Sequence, residues 1–337
     1  MRVLVDAFGG DFAPAEIVAG AVEALKADKN LSVTLYGEDE TIESLLSKHS
    51  YDKSRLSVVH APEVITNEES PTMAVKIKKN SSLVKALEDL SSDPTADAFV
   101  SAGSTGAVLT GAFMRVGRIS GVSRPALAPL LPTVKGGQVV LCDCGANVDC
   151  KPINLLHFGY MGAAFAKAMA ISDNPRVGLL SNGAEETKGN QLNKEAIEYL
   201  KNSGLNFVGN CEARDLLSGD FDVVVCDGFN GNIALKSAEG TANAIFTLLK
   251  EEINNGGARA KLGALMLYPA LKKLKKRMDY NENGGACFLG VNKVVVKAHG
   301  ASKAKSISAA IMQAKTLAER EVIKNIAEYM EQAKDII

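Results

Sequence analysis

The sequence contains no run of 18 apolar residues, so no segment reads as a membrane-spanning helix. It has no G-x-x-x-x-G-K-[ST] loop and no G-x-G-x-x-G fingerprint, which removes the usual signatures of nucleotide and dinucleotide binding and disfavours a nicotinamide dehydrogenase. Its net charge is only −1 at pH 7, so bulk electrostatics offer nucleic acid no attraction, and any charged partner must be met by a local patch. There is no internal repeat and no low-complexity segment. The opening residues, MRVLVDAFGGDFAP, have one basic residue and an early Asp and Gly pair, and do not read as a secretory signal. The expectation is a cytoplasmic chain whose six cysteines are reduced thiols.

Those cysteines also lack partners. Residues 142–150 read CDCGANVDC, with three cysteines in nine positions. Zinc sites pair cysteines two to four residues apart with a second such pair or with histidines. Here the spacing is C-x-C-x5-C, and Cys211, Cys226 and Cys287 stand alone. The pattern favours small apolar packing residues over a metal site. Nucleophilic roles for Cys144 or Cys150 stay open, and Asp143 and Asn147 are the stronger functional candidates in this segment.

What is present is ordinary globular composition, 46% hydrophobic and 23% charged over 337 residues. Short β-branched runs alternate with longer helical patterns. Strands are expected at 2–6, 31–36, 56–60, 98–101, 138–143, 176–180, 206–208, 222–227 and 293–297. Helices are expected at 14–27, 38–48, 105–118, 151–170, 185–202, 234–252 and 301–330. This alternation predicts an α/β protein with a mostly parallel sheet and helices on both faces. Runs such as VVVCD are apolar throughout, as strands covered on both sides should be.

In open parallel sheets, ligands bind beyond the carboxyl ends of the strands. Most of those ends here run into short polar, glycine-rich turns: VLVDAFGGD, FVSAGSTGA, VLCDCGANVD, VGLLSNGAEE, VVCDGFNGN and VVKAHGAS. The SAGSTGA turn can point backbone N–H groups of Gly103 and Gly106, and hydroxyls of Ser101, Ser104 and Thr105, at an anion. An ordinary helix cap explains the same residues. NGAEETKGN adds Lys188, and DGFNGN adds Asn230 and Asn232. His299 is the one histidine placed on this edge, as a site residue or a local cap. His157, in the middle of a helical pattern, reads as packing.

Residues 256–278, GGARAKLGALMLYPALKKLKKRM, carry seven basic residues and no acidic one. Apolar residues recur at helical spacing on either side of Pro269. The pattern predicts two short amphipathic helices bent at that proline, forming a basic tip over about 254–278.

In order along the chain, VDAFGGDFAP, SPTMA, SAGSTGA, RPALA, DCGANVDCKP, RVGLLSNGAEETKGN, DVVVCDGFNGN, KSAEG and KAHGAS resemble the bacterial phosphate acyltransferases of phospholipid synthesis (PlsX family). The resemblance runs from Met1 to about Met330. Ser104 stands where asparagine is commoner in that pattern, and Asn80 where aspartate is commoner.

The resemblance implies transfer of a fatty acyl group from acyl carrier protein to inorganic phosphate, giving acyl-phosphate without metal, nucleotide or other cofactor. It implies one large three-layer α/β/α domain over 1–337, similar to phosphotransacetylases and isocitrate-type dehydrogenases, working as a homodimer. Because the product passes to a membrane enzyme, peripheral contact with an anionic membrane is also implied.

On that chemistry, the 101–106 turn and Lys188 are expected to hold phosphate. Asn147, Asn230 and Asn232 are expected to steady the carbonyl oxygen, and His299 and Ser302 to line the cleft. Asp6, Asp11, Asp143 and Asp227 would position donors and helix ends. Lys272, Lys273, Lys275, Lys276 and Arg277 would meet acidic carrier protein or lipid. Two rivals remain: a phosphotransacetylase using small acyl-CoA, and a non-catalytic carrier-protein or membrane adaptor.

Overall fold

The computed structural model describes residues 1–278 and 284–333; the side chains of Lys275, Met278, Gln332 and Ala333 lie outside that description. The chain begins with β1 (Arg2–Asp6), α1 (Ala15–Ala27), β2 (Ser32–Gly37), α2 (Asp39–Leu46), β3 (Leu56–His60), α3 (Pro71–Ile77), α4 (Ser82–Ser92), β4 (Ala98–Ser101) and α5 (Thr105–Gly111), which continues as a π turn to Val116. Then come β5 (Ala126–Ala128), β6 (Leu130–Pro132), β7 (Gln138–Cys142), α6 (Pro152–Ala168), β8 (Val177–Ser181), α7 (Gln191–Lys201), β9 (Phe207–Glu212) and β10 (Val223–Val225). The last part holds α8 (Gly228–Asn255), α9 (Gly257–Met278), β11 (Ala286–Leu289), β12 (Val294–Lys297), α10 (Ala304–Glu319) and α11 (Val322–Ala333).

The expected α/β class holds, but the strands form two sheets rather than one. The larger has the order β3-β2-β1-β4-β12-β11-β5, and the smaller β6-β7-β10-β8-β9. Pairing is parallel from β3 to β12 and from β7 to β9; β11, β5 and β6 are antiparallel additions. Strands β5 and β6 are consecutive in the chain but belong to different sheets, so the segment 126–132 joins the two.

Central strands such as β1 and β10 are buried on both faces, as runs such as VVVCD predicted. One apolar cluster contains Val3 and Val5 of the larger sheet, Val140, Val177 and Val223 of the smaller, Phe158 and Phe165 of α6, and Ile307 and Ile311 of α10. Helix α6 is buried nearly all round. His157 sits within it, with Nδ1 3.0 Å from the Ser123 hydroxyl and its pKa lowered by burial, the packing role its position implied.

Several helix boundaries differ from expectation, α7 beginning at Gln191 rather than 185 and α8 at Gly228 rather than 234. The last helical stretch breaks at Glu321, whose φ of +51° separates α10 from α11. The basic segment is one helix through Pro269. Its bend lies instead at its start, where Gly257 takes φ +72°, a left-handed conformation open to glycine without steric cost.

Candidate active site

The carboxyl ends of β1, β4 and β12 are adjacent in the larger sheet, which brings three turns together. Asp6 is buried. Its Oδ1 accepts from the Ser82 hydroxyl at 2.6 Å, and its Oδ2 accepts from the Ser101 hydroxyl at 2.7 Å. Ser101 Oγ in turn accepts from the Gly103 amide at 3.0 Å. Burial raises the Asp6 pKa, against the pull of these donors.

The approach is close. A Cβ on Gly9 would lie 2.4 Å from Asp6 Oδ2 and 2.8 Å from the Gly103 nitrogen. Asp6, Ser101 and Gly103 are therefore spent on each other, and they hold the 101–106 turn rather than an anion. A Cβ on Gly106 would meet Pro71 at 2.8 Å, so this glycine serves close packing. Ser104 caps α5 by position, its hydroxyl making no cap bond. Thr105 is the residue of this turn that reaches the cavity described below. Asp11 ties in the third turn, its amide donating to Gly300 O at 2.9 Å.

The smaller sheet builds the facing wall. Asp143 is fully buried; Oδ1 accepts from the Leu127 and Ala146 amides, and Oδ2 from the Asn147 amide and side-chain Nδ2. Asn147 Nδ2 also donates to Pro125 O at 2.7 Å. Both donor hydrogens are used, so Asn147 pins the turn and is not placed to steady a carbonyl oxygen.

Asp227 is the N-cap of α8, accepting from the Asn230 amide at 2.8 Å and Asn230 Nδ2 at 2.6 Å, the helix-capping role open to a strand-end aspartate. The start of α8 is pressed against the 143–147 turn. A Cβ on Gly231 would lie 1.9 Å from Asp143 O, and one on Gly228 2.7 Å from Asn147 O.

Between the walls lies a cavity of about 280 Å³. Thr105, Lys297 and His299 line it from one side, and Cys144, Asn232 and Lys236 from the other. Lys297 is buried at the end of β12, with Nζ donating to Ala102 O and Ala298 O. Burial lowers its pKa to about 8, partly offset by Asp11 and Asp6. It remains mostly cationic at neutral pH.

Burial and the Lys236 and Lys297 charges lower the pKa of His299, so it is neutral near pH 7. Its Nδ1 accepts from the Ala301 amide at 3.1 Å. A neutral imidazole whose Nδ1 accepts must carry its proton on Nε2. His299 is thus a neutral donor beside two lysines. Lys236 also donates to Glu239 Oε2 at 2.8 Å.

The structure does not bring the expected set into one cavity. Asn230 lines a separate groove of about 830 Å³, with Asn182, Gly189 and Ile233. The reason is that α8 starts at Gly228, not near 234. Asn230 and Asn232 are then helical and roughly 200° apart around the axis, so they face opposite ways. Lys188 is exposed on a turn fixed by its own amide bonding to Glu185 O and by the Gly189 amide bonding to Asn182 Oδ1; it lines neither cavity. Ser302 is buried behind His299, its amide donating to His299 O and its hydroxyl without a partner; it does not line the cavity. Lys236, Glu239 and Lys297 escaped the sequence reading. The available signal was a lysine ending the apolar run VVVK, where only a purposeful charge is buried.

Burial holds the thiols in their protonated form. Cys142, Cys144 and Cys226 have pKa values raised well above the usual thiol range by burial, and Cys150, Cys211 and Cys287 are pushed up to about 12. Among the described residues no group of three or more His, Cys, Asp or Glu is arranged around a metal position.

Outside this cavity, α9 exposes Lys272, Lys273 and Lys276 and the apolar Leu265, Met266, Leu267 and Tyr268. Arg277 is tied to the body of the protein instead: it donates to Thr133 O at 2.6 Å and Val134 O at 2.7 Å. The Lys275 side chain lies outside the described residues. None of the described helices is long and apolar enough to cross a membrane.

The sequence model of a family described as "Fatty acid synthesis protein" matches residues 1–325. The chain belongs to that family. It is 48% identical to a phosphate acyltransferase of Thermoanaerobacterium thermosaccharolyticum over 337 residues, all of this chain and 99% of the relative. It is likewise 48% identical to one of Clostridium novyi, over 98% of this chain and 99% of the relative. In fold it is similar to a phosphotransacetylase of Streptococcus pyogenes (TM-score 0.65, 19% identity, 94% of each chain). A second, from Staphylococcus aureus, gives a TM-score of 0.62 at 17% identity over 95% of this chain and 94% of that one. The chain is therefore an acyltransferase of this family.

Proposed function

We propose that the family's acyl transfer runs in the cleft between the two sheets, with acyl carrier protein as donor and inorganic phosphate as acceptor. The supporting observation is the convergence of Lys297, His299, Thr105, Asn232 and Lys236 on one cavity. Two cations and a helix start suit an oxyanion. A neutral Nε2–H suits a carbonyl oxygen that becomes charged only during reaction.

In the step itself, a phosphate oxygen attacks the thioester carbon. The C–O bond forms, the C–S bond breaks, and the sulfur leaves with the electron pair as thiolate, to be protonated from solvent. Phosphate needs no protein base; it needs desolvation and alignment, which can remove roughly 7–11 kcal/mol of barrier. Lys236, Thr105 and Asn232 hold the phosphate, Lys297 supplies the buried positive charge beneath the 101–106 turn, and His299 steadies the carbonyl oxygen. The protonated thiols favour this direct attack over an acyl-cysteine intermediate.

The rest of this reading concerns partners. The chain works as one α/β/α unit in a homodimer. The basic, apolar α9 face meets acidic carrier protein and anionic lipid, each basic residue being worth about 1 kcal/mol near such a surface. The test mixes the protein with palmitoyl-carrier protein, with and without phosphate, and traps acyl-phosphate with hydroxylamine. Phosphate-dependent hydroxamate is expected. Turnover with small acyl-CoA alone would make this a phosphotransacetylase, and no loss of thioester would leave an adaptor.

A further inference from the structure

The cleft does not end at its own walls. Leu235 and Glu239 line both the reaction cavity and a small gap of about 30 Å³ beneath α8. Leu217, Ala238 and Ala242 line both that gap and the 830 Å³ groove on the far side of the helix. The three spaces are neighbours along α8, each sharing lining side chains with the next. Beyond Glu239 the passage is walled by Leu131, Pro132, Leu217, Leu235, Ala238 and Ala242, with no other charged group among them. The groove it enters is mainly apolar and falls in the size range of sites that bury small organic ligands, about 300–1,000 Å³.

From this succession of spaces we infer that the alkyl chain of the acyl substrate threads beneath α8 into this groove, and that Ala238 and Ala242 set the chain length accepted. The inference rests on the cleft being the reaction cavity, as proposed above. Its physical basis is a division of polarity. The reacting end of a thioester needs the cations and donors of the cleft, and its tail needs apolar walls reached without crossing solvent. Glu239 stands at the boundary: Oε2 accepts from Lys236, while the buried Oε1 has no partner. That oxygen is an acceptor placed at the entrance, where the polar end of the substrate stops and the chain begins. Small side chains at 238 and 242, one turn apart on the same face of α8, leave the passage its width.

The test uses carrier-protein thioesters of 4, 8, 12 and 16 carbons with the intact protein and the variants Ala238→Leu and Ala242→Leu. Added methylenes in a filled space typically change binding by about tenfold or more. Ala238→Leu should lower the ratio of kcat/KM for 16 against 4 carbons by about that factor. Ala242→Leu, one turn further from the cleft, should lower the 16-carbon rate while sparing 8 carbons more than Ala238→Leu does. Binding of a fluorescent 16-carbon fatty acid should weaken in parallel.

An unchanged ratio in both folded variants overturns the inference. So does a changed sedimentation state with an unchanged ratio, which would make the groove a seat for a second subunit. Wild-type protein that makes no acyl-phosphate at any length would sink the cleft chemistry instead; the fatty-acid binding and its loss in Ala238→Leu would still decide the groove.

Discussion

The two ends of α8 obey different rules. At its start, Asp227 caps the helix, Gly228 and Gly231 admit the 143–147 turn at contact distance, and Leu235 is buried. About twenty residues from that start, Ile245, Leu248 and Leu249 are exposed, and α9 adds Leu262, Leu265, Met266, Leu267 and Tyr268. One helix thus runs from a site where positions are fixed by several partners to a segment whose apolar side chains are largely exposed. Cleft chemistry needs the first condition, because reacting groups must be held to a fraction of an ångström. Contact with a large soft partner needs the second, since exposed apolar clusters of this kind mark interaction surfaces.

The sharpest break in that contrast is expected at Lys297. Lys297→Met should cost about 10²–10³-fold in kcat by removing the buried charge, yet leave the fold at least as stable. Its folded pKa of about 8 lies below the ordinary 10.5, so the folded state binds fewer protons than the unfolded between those values. Stability attributable to this group therefore rises with pH from about 8 to 10.5. The penalty for holding the charge at neutral pH is about 3 kcal/mol at most. Urea melts at pH 7 and pH 10 should show that rise in the wild type and lose it in the variant. Turnover in the wild type should fall as pH passes about 8.

Next in size is a pair of glycines. Gly231→Ala drives a methyl group into Asp143 O and should destabilise by about 2–4 kcal/mol, within the range for overpacked or strained sites. Gly263→Ala, in α9 with nothing within 4 Å of the new Cβ, should stabilise by about 0.5–1 kcal/mol. Thermal melts of both decide whether the two regions differ as described; equal effects would erase the distinction.

Charge reversal of Lys272 and Lys273 together should raise KM for acyl-carrier protein several-fold at low salt, leaving kcat alone. Changing Leu265 and Met266 to serine should reduce binding to anionic vesicles without changing turnover in solution. The smallest effect belongs to Cys144→Ala. The thiol lines the cavity but is held protonated, so turnover should stay within about twofold. Loss of turnover in a folded variant would restore the acyl-cysteine route.

Strands written in short runs rich in β-branched and apolar residues were legible at their observed bounds, as at Arg2–Asp6, Leu56–His60 and Ala98–Ser101. The short β5, β6 and β11 were not. Three or four residues carry no period of their own, and they exist as strands only through antiparallel partners far along the chain. Helices α3 and α4 were missed where polar residues interrupt the apolar spacing. Of the site, Thr105, Asn232 and His299 were readable from their place after strands. Asp143 was readable as a candidate, but its carboxylate turned out to be a structural hub. Lys188 and Asn230 had the right chemistry in the wrong place, because a two-residue difference in polar spacing means nothing until the helix start is known.

By itself the sequence determined the alternation of strand and helix, the glycine-rich turns at strand ends and the family to which the chain belongs, because these follow from local backbone preference and from the order of motifs. Only the tertiary structure decided which turns share a cavity, that the sheet is divided in two, and which way each residue of α8 faces. It also set the charge state of the site. Burial lowers Lys297 and raises the thiols, and burial is a property of the packed chain rather than of any stretch of it.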